Sequence, residues 1–132
     1  MKIEDFDSVQ DLTTPLEIER ALSKRHDSGI NSFWLFHGAE ERPAINIMVN
    51  GDLAYVHYFP DDDHPGYGSA GAVPNLSRGG KTNSFMHSSD QPNPIRNDAV
   101  VPFSKALKVA QEFAVSKSLP KCIPWRSLAQ EP

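Results

Sequence analysis

The dipeptide Asn50-Gly51 constrains this chain more than any other feature. Both residue types tolerate positive φ, so the pair predicts a two-residue type I′ turn joining antiparallel strands. The flanks agree with it. Ala44 to Val49 alternates, with Ile45, Ile47 and Val49 on one face. Leu53 to Phe59 returns with Leu53, Tyr55, His57 and Phe59 on one face and Ala54, Val56 and Tyr58 on the other. A strand apolar on both faces must be covered on both, which makes 53–59 a central strand.

Two helices frame this hairpin. Thr14-Pro15-Leu16-Glu17 combines an N-cap threonine, a first-turn proline and a glutamate that closes a capping box, predicting a helix over 14–26 that ends near Gly29. Pro102 opens a second, in which Phe103, Ala106, Leu107, Ala110, Phe113 and Ala114 recur at helical spacing, with Lys105, Lys108, Gln111 and Glu112 opposite. It runs to about Lys117 and stops before Pro120. Asn31 to His37 is an aromatic-rich strand with Phe33, Trp34 and Phe36. Residues 60–80 hold three prolines and five glycines and read as a long irregular segment. A short strand follows at 81–87, then a loop over 88–97. The tail from Cys122 to Trp125 reads as an edge strand or an extended lid. The expectation is one α+β domain over 1–132: a single antiparallel sheet with two main helices packed against it.

Charge and composition narrow the function. The 132 residues carry 13 basic against 17 acidic side chains, a formal net charge of −4, which argues against a nonspecific nucleic-acid footprint. The charge is uneven. Residues 1–63 hold 13 acids and 5 bases, residues 64–132 hold 4 acids and 8 bases. Cys122 is the only cysteine, so neither an intrachain disulfide nor a cysteine zinc site is available. The acidic N-terminus lacks the apolar core of a signal peptide, and no apolar run is long enough to span a membrane. The expected location is the cytoplasm.

His57-Tyr58-Phe59-Pro60-Asp61-Asp62-Asp63-His64 is the most reactive-looking stretch. It admits three readings: a solvated acidic loop, an acidic partner-binding loop, or a divalent-metal site for a small hydrolase using His57, Asp61, Asp63 and His64. Adjacent aspartates point in different directions, which counts against the metal site. Gly66-Tyr67-Gly68-Ser69-Ala70-Gly71 has dinucleotide-loop spacing but no helix behind it to hold a phosphate, so turn formation explains the glycines better. Ser69, Ser84 and Cys122 are conceivable nucleophiles, none in a strand–turn–helix elbow. No His-x-Glu with a paired-cysteine motif marks a zinc deaminase. Trp34, within an aromatic strand, reads as core; Trp125 reads equally as core or contact.

A larger pattern emerges from these residues in order. Gly51-Asp52 leads into a strand ending Tyr58-Phe59; Pro65-Gly66, Ser69 and Gly71 follow; Val101-Pro102 opens a helix with Ala106, Ala110 and Phe113; Pro120, Ile123 and Trp125 close the chain. This resembles, over about residues 31–126, the first-numbered immunity-protein family of bacterial polymorphic toxin systems. It departs at Lys117-Ser118, where that family often has a small residue and glycine. The resemblance implies a cytoplasmic, non-enzymatic antitoxin without metal or cofactor, which occludes the C-terminal catalytic domain of a toxin, a deaminase acting on cytosine in DNA. It binds no nucleic acid or membrane itself. An acidic loop suits that role, because a nucleic-acid enzyme presents a basic cleft. Asp61, Asp62, Asp63 and His64 are the expected docking residues, with Asp52 contributing and Tyr67, Phe85 and Trp125 as aromatic anchors. A generic protein-binding adaptor shares these features.

Overall fold

A computed structural model describes residues 1–26, 29–37, 39–61, 63–71, 73, 81–82, 85–88, 91–92 and 94–129. The elements in order are β1 (Lys2–Glu4), β2 (Val9–Asp11), α1 (Pro15–Leu22), β3 (Ile30–Phe36), β4 (Ala44–Asn50), β5 (Leu53–Phe59), β6 (Tyr67–Ser69), β7 (Lys81–Thr82), β8 (Met86–Ser88), β9 (Gln91–Pro92) and β10 (Ile95–Arg96). A 3-10 turn (Asn97–Ala99), β11 (Val101–Pro102), α2 (Phe103–Val115) and β12 (Trp125–Ser127) complete the chain.

Among the described residues the main sheet runs β12-β6-β5-β4-β3-β1-β2, with β11 alongside the start of β5, and every pairing is antiparallel. Two short ladders, β7 with β10 and β8 with β9, lie outside it. The class is α+β, one open antiparallel sheet with two helices, as the patterning predicts. Among the described residues no helix is long and apolar enough to cross a membrane.

The sheet has a core on each side. Toward the helices, Phe33 and Leu35 of β3, Ile45, Ile47 and Val49 of β4, and Ala54, Val56 and Tyr58 of β5 meet Ile18 and Leu22 of α1 and Ala106, Val109, Ala110 and Phe113 of α2. On the opposite face, Met48 packs with Phe85, Ile95, Ala99 and Val100, and Leu53 and Tyr55 lean on the same cluster. Six consecutive residues of β4, Ala44 to Val49, are buried, Asn46 among them with its amide donating to the Ser32 hydroxyl and the Phe33 carbonyl. Among the described residues after β5, Phe85, Ile95, Ala99 and Val100 form a second covering layer over the sheet.

Several boundaries differ from the sequence expectation, each for a local reason. The hairpin turn is Gly51-Asp52, with Asn50 paired to Leu53. Either register puts Ile45, Ile47 and Val49 beside Ala54, Val56 and Tyr58, so the alternation cannot distinguish them. What distinguishes them is Gly51 at φ 58°, its N–H donating to the Gly29 carbonyl at 2.7 Å, and the Asp52 carbonyl accepting from Phe103 N–H at 2.7 Å. Helix α1 has the predicted capping box but stops at Leu22 instead of 26. There the Leu22 carbonyl accepts from Arg25 and the Lys24 carbonyl from the Asn31 amide, which draws the chain into β3. Within the expected irregular segment 60–80 the chain forms β6, and within the expected strand 81–87 it forms β7 and the start of β8; residues 62, 72, 74–80, 83 and 84 lie outside the described residues. The predicted 88–97 loop carries β9 and β10. Three- and two-residue strands leave no periodic signal to read. The tail does form an edge strand, β12, paired with β6.

Candidate functional site

The acidic loop follows directly from β5. Asp61 Oδ1 accepts from the backbone N–H groups of Asp63 and His64, both at 2.9 Å. His64 Nδ1 accepts from Gly66 N–H at 2.8 Å, and its ring stacks on Tyr67 at 5.1 Å. His57 Nε2 donates to the Pro65 carbonyl at 2.8 Å, stapling the far end of the loop to the sheet. Asp61 and Asp63 stay exposed. The described part of the loop, Asp61 and 63–66, is thus held by its own polar groups and by His57. Asp62 lies outside the described residues.

The other expected contacts scatter. Asp52 is exposed at the hairpin turn. Tyr67 is half-buried against the helix-side core. Trp125 is half-buried there too, its indole N–H donating to the Pro120 carbonyl at 2.6 Å. Phe85 is a correction. It is completely buried in the second core, and as placed it offers a partner no surface. The structure brings Asp61, Asp63, His64 and Tyr67 together, places Trp125 6.4 Å from the Tyr58 ring, as Tyr67 is, and leaves Asp52 at the hairpin turn and Phe85 in the second core.

The catalytic alternatives look different in three dimensions. Among the described residues, no three His, Cys, Asp or Glu side chains converge into a set able to hold a metal ion. Ser69 is a buried staple: its hydroxyl donates to the Ala99 carbonyl at 2.7 Å and accepts from Val56 N–H at 3.1 Å. Cys122 is half-buried, and burial, reinforced by Glu112, pushes its thiol pKa up, away from a reactive thiolate. Ser84 lies outside the described residues.

The sequence reading missed one feature. Trp34, expected in the core, belongs to neither buried cluster. It lies on the sheet face away from the helices, in a row of rings. Trp34 stacks near Phe36 at 6.1 Å and Phe59 at 5.4 Å, and Phe59 stacks on His57 at 3.8 Å. Beside this row is a groove of about 420 Å³ lined by Lys2, Glu4, Trp34, Phe36 and the 39–42 turn. The signal was present in the sequence: 34 and 36, like 57 and 59, share a strand face. Recognising it required the β3–β4–β5 register, which places Trp34 opposite Asn46 and Asn46 opposite His57.

A search of curated proteins found no match. A family model described as Immunity protein Imm1 matches residues 7–127, from before β2 to the end of β12. That span includes both helices, the acidic loop and all but β1 of the main sheet. The chain belongs to the Imm1 immunity-protein family, and with it comes an immunity role toward a toxin partner.

Proposed function

We propose that this protein is a non-enzymatic antitoxin that binds the C-terminal catalytic domain of a nucleic-acid deaminase toxin and blocks its active site in the cytoplasm of the producing cell. Family membership over residues 7–127 carries the immunity part of this reading. The deaminase assignment rests on the family resemblance stated above. Support for the docking mode comes from the loop after β5, where two exposed carboxylates stand on a frame fixed by Asp61 and His64. Such a loop competes with phosphate for a basic cleft and steers encounter between oppositely charged surfaces.

The experiment pairs the protein with the toxin domain encoded by the neighbouring gene. A stable complex that abolishes cytosine deamination of DNA is the expected result; a bound toxin with no deaminase activity would overturn the substrate assignment. Replacing Asp61, Asp62 and Asp63 together by alanine is expected to slow association by roughly tenfold at low salt and to flatten its salt dependence. An unchanged association rate and salt slope would remove this loop from the mechanism.

A further inference from the structure

The groove beside Trp34 has a chemistry of its own. Its aromatic row presents stacked rings, with interplanar angles of 12° between Trp34 and Phe36, 29° between Trp34 and Phe59 and 10° between His57 and Phe59. The faces of such rings attract cations, and tryptophan does so best. Two rings already hold cations from this chain: the Lys2 ammonium lies 5.0 Å from the Phe36 centroid and the Arg42 guanidinium 5.4 Å from Phe59. Among the described residues no lysine or arginine lies over Trp34. Carboxylates stand beside it. Glu4 is the register partner of Trp34 and so shares its sheet face, while Glu40 and Glu41 line the groove from the 39–42 turn. Glu40 pairs with Lys117 at 3.5 Å; Glu4 and Glu41 make no ion pair among the described residues.

From this juxtaposition we infer that the groove receives an arginine-bearing basic loop of the toxin, its guanidinium stacked on Trp34 between the carboxylates of Glu4 and Glu41. The inference rests on the immunity reading and goes beyond it by naming a second contact and the chemistry that fills it. Arginine suits the place between two carboxylates better than lysine, because its planar, weakly hydrated head both stacks and forms forked bonds to carboxylates. Position adds to the argument. Phe59 ends the aromatic row and Asp61 begins the acidic loop two residues later, so one basic surface spans both.

The test labels the protein with 5-fluorotryptophan and follows its two fluorine resonances as the unlabelled toxin domain from the neighbouring gene is added. Trp34 is assigned through Trp125→Phe, or through Trp34→Phe if the former does not fold. The Trp34 resonance is expected to shift on complex formation. The double variant Glu4→Lys/Glu41→Lys changes two exposed side chains. It is expected to keep the wild-type melting temperature and to bind at least tenfold more weakly. A wild-type protein that does not bind the toxin domain overturns the immunity reading, and the groove contact with it. A wild-type complex with an unmoved Trp34 resonance, or a double variant within twofold of wild-type affinity, overturns the groove contact alone.

Discussion

Two glycines separate conformational cost from steric cost. Gly51 has φ 58° with open space around a would-be Cβ, whereas Gly66 has φ 98° and a Cβ there would fall on the Tyr58 carbonyl and 2.7 Å from His57 Nε2. Gly51→Ala should cost about 1 kcal/mol, the penalty of left-handed backbone alone. Gly66→Ala should cost about 3 kcal/mol or more, since strain and backbone overlap add. Denaturant unfolding of the two variants compares them directly, and equal losses would contradict the steric account. Ser69→Ala makes a related case. It strands the Val56 N–H and the Ala99 carbonyl inside the protein. A loss of about 2 kcal/mol is expected by the same measurement. For Cys122, whose thiol is pushed up by burial and then by Glu112, alkylation at neutral pH should run slower than for free cysteine. Glu112→Gln should speed it, and a rate already equal to free cysteine would refute the assignment.

Among the elements, α1 depends on its cap. Thr14 Oγ1 accepts from Glu17 N–H at 3.2 Å while Glu17 Oε1 accepts from Thr14 N–H at 3.1 Å. Thr14→Ala should lower stability by about 1 kcal/mol. The turns on the sheet margins are acid-sensitive. Burial pushes the Asp5 carboxyl upward, but hydrogen bonds from Asp7 N–H, Ser8 N–H and the Ser8 hydroxyl, with Lys24 nearby, hold it below the ordinary 3.8. Asp98 behaves alike, its upward push from burial outweighed by Arg96 and Arg126. Depressed carboxyl pKa values stabilise the fold above the ordinary aspartate value and lose that effect as pH falls toward their own lower values. Melting temperatures from pH 7 to 3 should therefore drop in acid, and Asp5→Asn with Asp98→Asn should flatten the drop. The cap at Thr14, the β4–β5 faces and the α2 stripe were legible in the sequence because each repeats or follows a strong local rule. The second covering layer was not. Phe85, Ile95 and Val100 are buried against Met48 of β4, a contact distant in sequence, and the strands near them are too short to carry a period. The groove was illegible for a similar reason: Trp34 and Phe59 are 25 positions apart, and only the register of three strands makes them neighbours.

For the whole molecule, the imbalance between the acidic first half and the basic second half takes a spatial form. Glu4, Glu40, Glu41, Asp61 and Asp63 come from the first half and gather around the aromatic row and the loop that continues it. Complex formation should consequently slow as ionic strength rises, while dissociation, governed by stacking and packed contacts, should change less. A dissociation rate that carries all the salt dependence would reverse that assignment. The burial of β4 on both faces bears on timing as well as stability. Its amides, from Ile45 to Val49, lie between the β3 and β5 ladders, with Ile45, Ile47 and Val49 in the helix-side core and Met48 in the second, so exchange requires the centre of the sheet to open. They should be the last in the chain to exchange, and they supply an internal clock against which faster openings at the β3 and β5 ends of the aromatic row are read in the free and bound protein.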